Sequence, residues 1–571
     1  MKKEVLLIFK THLDIGFTDY SEKVCERYLS DFIPNAIRVG YELKGSDTPF
    51  VWTVGSWMLW QALKNDKDGI VERAIKDGIL RWHGLPFTTH TEIMNKTLFE
   101  YGVNISDMLD ERFGMNTISA KMTDVPGHTV GMIPILKSHG IEFLHLGVNP
   151  ATPVPSVPAI FRWKRGDDEI TVMYQGDYGE DMEFEDFIVS FAHTGDNLGP
   201  QSSDAIIKIY EKLRKKYPDH YVRAATIDDL AIRVRSLCDL PVVEGEIGDS
   251  WIHGVATDPQ KISRYRRLLR LIEGMENIPV DLTDSLLCVP EHTWGMDVKT
   301  HFPYNEPYSH RELEAFSKER AKIEASWQEQ REYVSRAEEL LGLESEYPVK
   351  PYDLSLYTEV SLPAELGYEI SWQLFDNSDY DWYRNNYMRC HLDWAIRDFT
   401  KVGLKDYKGG IYNAKVTQAY EKDGERLYLL EFDSEIADKY GLPQFYLKEC
   451  GSDVEIKWFG KKASRYPQAF WFKIKGLRET WQINKMGEWI SPDEIIDSPL
   501  ICAVDKGVRN GDVTVECLDS ALVAPYGRQL LRYGRDSRLQ DMYFNLYNNI
   551  WNTNFPIWYS DDAIFRFKII K

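Results

Sequence analysis

Residues Thr11-His12-Leu13-Asp14-Ile15-Gly16-Phe17 set an imidazole and a carboxylate two positions apart. The run before them, Val5-Leu6-Leu7-Ile8-Phe9, is apolar and partly β-branched, the pattern of a buried strand. His12 and Asp14 thus fall where a strand gives way to a loop. On an extended backbone residues i and i+2 point the same way, so both side chains can reach one cation. Gly16 lets the loop turn closely around whatever is held there. An H-x-D pair alone also describes an ordinary polar loop. Two further segments change the balance: Thr123-Asp124-Val125-Pro126-Gly127-His128 and Val289-Pro290-Glu291-His292-Thr293-Trp294-Gly295. His12, Asp14, Asp124 and His292 together suit a borderline divalent cation, zinc first, with positions left for substrate oxygens. Manganese, cobalt or calcium would compete for the same set.

The elements that must position these residues follow from the pattern of the chain. Up to about residue 258, strand-like runs (Val5–Phe9, Phe50–Val54, Leu80–His83, Thr117–Met122, Phe143–Leu146, Ile170–Tyr174, Phe187–Ala192, Tyr221–Ala225) alternate with amphipathic segments. That alternation predicts an α/β domain with a mainly parallel sheet and helices on both faces. In such sheets function collects at the carboxyl ends of strands. His12 and Asp14, His83 to Glu92, Asp124, Asp177, and His193 with Asp196 all fall there. Residues 259–347 turn to helical period and predict a small helical bundle, with Ile262, Tyr265, Leu268, Leu269 and Ile272 on one apolar face. The Pro- and Gly-bounded segment around His292 interrupts it and reads as a loop returning to the active site. Residues 348–571 carry short strands between Gly, Asp and Pro turns, the pattern of a β-sandwich.

At 571 residues the chain exceeds the size of a single core. A net charge of −21 argues against a nucleic-acid partner and against an anionic membrane surface. Seven scattered cysteines without C-x-x-C spacing fit reduced thiols in a cytoplasm. The short apolar run at the start leads straight into His12 and lacks a signal-peptide core. Aromatic residues are abundant (17 Trp, 32 Tyr, 25 Phe), which serves large cores and also stacking on pyranose rings.

The motifs resemble those of the family-38 glycoside hydrolases, the metal-dependent α-mannosidases. His12-Leu13-Asp14-Ile15-Gly16-Phe17 is similar to the family's His-x-Asp-x-Gly-Trp, with Phe for Trp. Asp124-Val125-Pro126-Gly127-His128-Thr129 is similar to Asp-Pro-Phe-Gly-His-Ser, with proline one place later. Gly195-Asp196-Asn197 stands for Gly-Asp-Asp, and Glu291-His292-Thr293-Trp294-Gly295 for a longer last motif. Pro467-Gln468-Ala469-Phe470-Trp471 looks like a Pro-Glu-Ala-x-Trp segment of the family's sandwich. The resemblance implies one divalent metal held by His12, Asp14, Asp124 and His292, with Asp124 also the nucleophile and Asp196 the acid/base. It implies a carbohydrate substrate, α-mannoside by default, and is compatible with a homo-oligomer.

A retaining glycosidase needs a nucleophilic carboxylate and an acid/base carboxyl roughly 5 Å apart. Metal ligation favours the ionised form of Asp124, and a strand-end site beside apolar residues could raise the pKa of Asp196. Asp177 and Asp249 are the next candidates for the acid. Glu92, His90, Trp251, His253 and Trp294 are candidates for sugar contacts, each with a capping or core role as its alternative. His253 could also replace His292 as a ligand, and His128 reads as a support to the ligands. The departures from the family pattern all touch the substrate pocket and bear on the sugar rather than on the metal. Two other functions use the same residues: a metal-dependent carbohydrate deacetylase with Asp124 as base, and a non-catalytic sugar-binding protein.

Overall fold

The computed structural model describes residues 3–303, 305–405, 407–497, 501–532 and 541–571. The chain forms two units. The first comprises Met1–His90, Lys96–Pro126 and Val130–Gly245; the second comprises Thr91–Asn95, Gly127–Thr129 and Glu246–Lys571.

The first unit holds eleven strands among its described residues: β1 (Glu4–His12), β2 (Trp52–Gly55), β3 (Leu80–His83), β4 (Ser119–Asp124), β5 (Phe143–Val148), β6 (Ile160–Arg165), β7 (Asp168–Gln175), β8 (Met182–Glu183), β9 (Phe187–Asp196), β10 (Tyr221–Ala224) and β11 (Val242–Val243). One sheet has the order β3-β2-β1-β9-β8, with β10 also paired to β1; the other runs β11-β6-β7-β5-β4. Pairing is parallel except at β6–β7 and β8–β9. Val5 to Phe9 are all fully buried, which requires cover on both faces of β1 and explains the unbroken apolar run. The amphipathic segments form helices between the strands, among them Lys96–Phe113 and Ser203–Lys216.

The two sheets of this unit share an interior. On one flank the Gly84 N–H, just after β3, donates to Ser119 O of β4 at 2.8 Å. On the other, His145 of β5 stacks on Phe191 of β9 with ring centroids 4.4 Å apart. Parallel strands around a common interior put their carboxyl ends at one mouth, where His12, His83, Asp124 and Asp196 are the last residues of β1, β3, β4 and β9.

In the second unit the helix Pro259–Glu273 lays down the expected apolar face: Ile262, Tyr265, Leu268, Leu269 and Ile272 are buried. The long helix Ser317–Leu340 packs on it through Arg264, whose guanidinium is forked on the buried Glu338. The same helix meets Val280–Leu287, where Ser285 Oγ donates to Tyr333 O at 2.8 Å. The remainder builds a ten-stranded and a six-stranded antiparallel sheet. They meet face to face through aromatic side chains, Trp458 on Phe470 (5.4 Å) and Phe567 on Phe472 (4.9 Å). The aromatic-rich stretch from Trp372 to Trp394, ambiguous by pattern, closes strand Tyr368–Leu374 and then forms two short helices. All seven cysteines are free thiols. Among the described residues no helix is long and apolar enough to cross a membrane.

Candidate functional site

The site of the first unit is built where β1 and β9 end. Their parallel register runs Lys10↔His193, Thr11↔Thr194 and then, after a one-residue shift, His12↔Asp196. A bulge of this kind re-aims the side chains beyond it and sets the Asp196 carboxylate beside the His12 imidazole. His12 Nε2 lies 3.1 Å from Asp14 Oδ1. Two ligands at the 2.0–2.1 Å typical of zinc, arranged tetrahedrally, stand about 3.3 Å apart, so the pair fits one cation. Donor atoms of His12, Asp14 and Asp196 all fall within 4.8 Å of one another, and donors of His12 and Asp124 do the same. His12, Asp14 and Asp124 are 2, 4 and 8% exposed.

Asn197 holds this loop in shape. Its Oδ1 accepts the Asp14 N–H at 3.1 Å, and its Nδ2 faces Asp14 O (3.1 Å), Gly16 O (3.2 Å) and Thr18 Oγ1 (3.1 Å). Its own N–H donates to His12 O at 3.0 Å, and the Tyr28 hydroxyl donates to the same carbonyl. Gly16 has φ +132°, a conformation in which a side chain would be strained. Phe17 (φ +58°) and Asn197 (φ +52°) are also left-handed. Of the two, Asn tolerates that region and Phe does not readily.

Asp124 ends β4 with φ +78°. Its Oδ1 accepts the Tyr178 hydroxyl at 2.5 Å and the Asn149 amide at 3.0 Å, while its carbonyl accepts the Asn149 N–H at 3.0 Å. Tyr178 lies between two imidazoles, 5.6 Å from the His12 ring and 4.9 Å from that of His193. Burial, followed by the charge of Asp124, drives its phenol pKa well above the usual value, so it stays a donor. Asp177 caps its own turn, accepting Gly179 N–H at 2.8 Å and Glu180 N–H at 2.9 Å.

Beneath these donors the shared interior holds polar side chains. Lys10 Nζ donates to Thr123 Oγ1 at 2.8 Å, and Lys121 Nζ meets His145 Nδ1 at 2.5 Å, with His145 Nε2 on Gln175 Oε1 at 2.8 Å. Lys121 and Thr123 lie two apart on β4, so Lys121 shares the interior face on which Lys10 meets Thr123. Burial pushes Lys10 down to about 7 and Lys121 well below its ordinary value. Burial, then the two lysines, lowers His83 to about 3. His145 and His193 are lowered too, by burial first, and are neutral at physiological pH.

The second unit carries the other residues singled out by sequence. His292 is buried, its Nδ1 2.7 Å from Glu291 Oε1. Trp294 is buried beneath Lys261, whose ammonium sits 3.7 Å from the ring centroid. Trp251 and His253 both pack edge-on against Trp551, at 5.6 and 4.2 Å. The Glu92 carboxylate is engaged by Lys485, by the Asp249 N–H (2.8 Å) and by the Ala503 N–H (2.9 Å). His128 Nδ1 is 3.2 Å from Thr91 Oγ1. In the first unit, His90 is fully buried.

Sequence reasoning missed Tyr178, Asn149, Lys10 and Lys121. Lys10 carried a usable signal, since it shares the parity of His12 on β1. Tyr178 and Asn149 carried none, because only the β4-β5-β7 order brings their segments beside Asp124.

Residues 255–347 match a family described as a domain of unknown function (DUF5054). No curated protein matches the sequence. Among solved structures, an alpha-mannosidase from Enterococcus faecalis V583 is similar over 100% of this chain and 87% of its own, with TM-score 0.60 and 10% identity. A protein in glycosyl hydrolase family 38 from Enterococcus faecalis is similar over 100% and 86%, with TM-score 0.53 and 9% identity. At such identities the likeness is one of fold: the chain is family-38-like in architecture along its whole length.

Proposed function

We propose that the protein is a metal-dependent retaining glycoside hydrolase acting on α-linked sugars, with α-mannosides as the default substrate. The observation that carries the reading is the Asp124 carboxylate, fixed by Tyr178 and Asn149 on a left-handed backbone beside the His12 donor. The proposed ligands are His12, Asp14, Asp124 and His292, and their mixed imidazole and carboxylate donors suit zinc. The helical segment 259–347 would contribute His292 to the α/β part, and residues 348–571 would form the β-sandwich part.

When bound, the metal would supply Lewis acidity toward sugar hydroxyls. Asp124 attacks the anomeric carbon and forms a glycosyl ester as the glycosidic bond breaks. Asp196 gives its proton to the leaving oxygen. Water then cleaves the ester, with Asp196 taking the proton back. Tyr178 and Asn149 hold Asp124 in one orientation for the attack. His90, Trp251, His253 and Trp294 are the proposed sugar contacts, while Glu92, tied to Lys485, is proposed to anchor its own turn.

Because the Asp196 carboxylate also stands within ligand range of His12 and Asp14, a second assignment makes it a metal ligand. Asp196→Asn separates the two: lost turnover with metal retained assigns the acid/base, and lost metal assigns the ligand. The reading as a whole is tested with the zinc-loaded protein on a panel of aryl α- and β-glycosides. Metal-dependent release from an α-glycoside, abolished by Asp124→Ala, is expected. Substantial turnover by Asp124→Ala would remove Asp124 as nucleophile. A mechanism-based fluoroglycoside that labels Asp124 would exclude the deacetylase alternative, and silence across the panel would overturn the glycosidase reading.

A further inference from the structure

Lys10 and Lys121 are each 3% exposed, on different sheets, yet their amino groups both reach into the shared interior, at Thr123 and at His145. Among the described residues neither makes an ion pair; Lys10 bonds to Thr123 and Lys121 to His145. Asp124 and Asp177 act on them only through space. Phe191 completes the floor, 5.2 Å from the Lys121 ammonium, and Gly179 leaves room for it, since a Cβ there would come within 2.7 Å of that ring.

Interior positions of strands around a shared core ordinarily carry bulky apolar side chains. Burying two amino groups in one interior strips each of its hydration, whether charged or neutral. A fold has no need of them, as methionine would fill the same space. Their position is also telling. Lys10 and His12 share one face of β1 and are separated by roughly 6.6 Å along the strand, about the width of a hexose ring.

We propose that Lys10 and Lys121 form an oxyanion-binding subsite under the metal ligands, and that the natural substrate is an acidic α-glycoside, a uronide or a sulfated sugar. This rests on the glycosidase reading and narrows its substrate class. An anion in that place accepts hydrogen bonds from both amino groups. The −21 net charge repels polyanionic chains, so the fitting substrate is a short acidic glycoside rather than a polymer.

The test uses the zinc-loaded protein and three aryl α-glycosides: the neutral mannoside, the mannuronide and the mannoside 6-sulfate. The expected result is kcat/KM higher on one acidic glycoside than on the neutral one by about tenfold or more, the scale of a charge-assisted hydrogen bond. Preference for the carboxylate or for the sulfate identifies the source of the anion. Lys121→Met should collapse that preference by about 10- to 100-fold, and Lys121→Arg should restore part of it. A preference for the neutral glycoside overturns the proposal, as does an acidic preference that Lys121→Met leaves intact.

If no glycoside is cleaved, the glycosidase reading has failed and the subsite is judged alone. Sodium sulfate is titrated against sodium chloride at constant ionic strength, with thermal unfolding as the readout. Sulfate-specific stabilisation of the wild type, lost in Lys121→Met, keeps the anion site; its absence in the wild type removes it. Should Lys121→Met not fold, the wild-type preference and the sulfate titration decide by themselves.

Discussion

Replacing Asn197 by alanine should weaken metal binding without touching a metal ligand. The side chain offers one acceptor, used by the Asp14 N–H, and two amide hydrogens shared among Asp14 O, Gly16 O and Thr18 Oγ1. Three full hydrogen bonds are therefore lost, at about 1 kcal/mol net each, in a place where Asn197 is 4% exposed. Alanine in the left-handed region adds roughly 1 kcal/mol. The loop that carries His12 and Asp14 is then poorer by about 4 kcal/mol, while loss of an outer partner of a metal site lowers affinity about 10- to 100-fold. That range is about 1.4–2.8 kcal/mol and lies inside the structural figure. Competition against a chromophoric chelator measures it. Asn197→Gly removes the bonds but relieves the backbone, so its deficit should be smaller by about 1 kcal/mol and still clear. If both variants bind zinc within about threefold of the wild type, the loop is held by something other than Asn197.

Tyr178→Phe removes the hydroxyl that donates to Asp124 Oδ1, so kcat should fall about 10- to 100-fold with metal content unchanged; normal turnover would detach Tyr178 from the proposed nucleophile. Lys485→Met leaves Glu92 and Glu246 buried without their shared cation, a loss of about 3–5 kcal/mol in denaturant titrations, and a loss below about 1 kcal/mol would mean the ion pairs do not hold this part of the fold. Asp228 is pushed up to about 6, chiefly by burial. The folded state thus binds its proton more tightly than the unfolded chain, whose pKa is about 3.9, and stability from this group falls as pH rises from about 4 to 6. Two pKa units correspond to roughly 2–3 kcal/mol. Asp228→Asn keeps an oxygen for the Ile118 N–H and the Ser119 hydroxyl and cannot titrate. The stability difference between variant and wild type should therefore shift in favour of asparagine across that window, and a pH-independent difference would refute the assignment.

The parts of the site legible in sequence are those set by local rules. Period-two alternation put His12 and Asp14 on one face, and the strand-end rule placed Asp124 and Asp196 at the mouth before any pairing was known. The observed strands lengthen the expected ones at this end: Val5–Phe9 becomes Glu4–His12, and Phe187–Ala192 becomes Phe187–Asp196. Polar residues continue a strand here because neighbouring strands satisfy their backbone, which propensity does not register. The strand Ile160–Arg165 is not expected from the sequence, since three of its six residues are cationic and its β7 partner is an antiparallel neighbour within a mainly parallel pattern. The bulge between Thr11 and His12 was equally invisible, and without it the facing of Asp196 toward His12 does not follow from alternation.

Backbone strain joins these observations to function. Asp124, Phe17 and Asn197 all adopt left-handed backbone at this one site, while Gly16 between Ile15 and Phe17 is the lone residue there free to do so without cost. Glycine at the other three would relieve roughly 1 kcal/mol each. A chain shaped only for stability has that remedy at hand. Here two of the three strained positions bear a side chain that does something glycine cannot: Asp124 presents its carboxylate, and Asn197 ties Asp14 and Gly16 together. The strain is tolerated because β1, β9 and β4 are buried and paired around it, so the loops have no cheaper conformation that keeps the His12 and Asp14 donors together. Strain concentrated at strand ends, above a polar interior and among a cluster of metal-type donors, is the arrangement expected of a preorganised reaction centre, and it is why the same three strand ends carry the proposed chemistry.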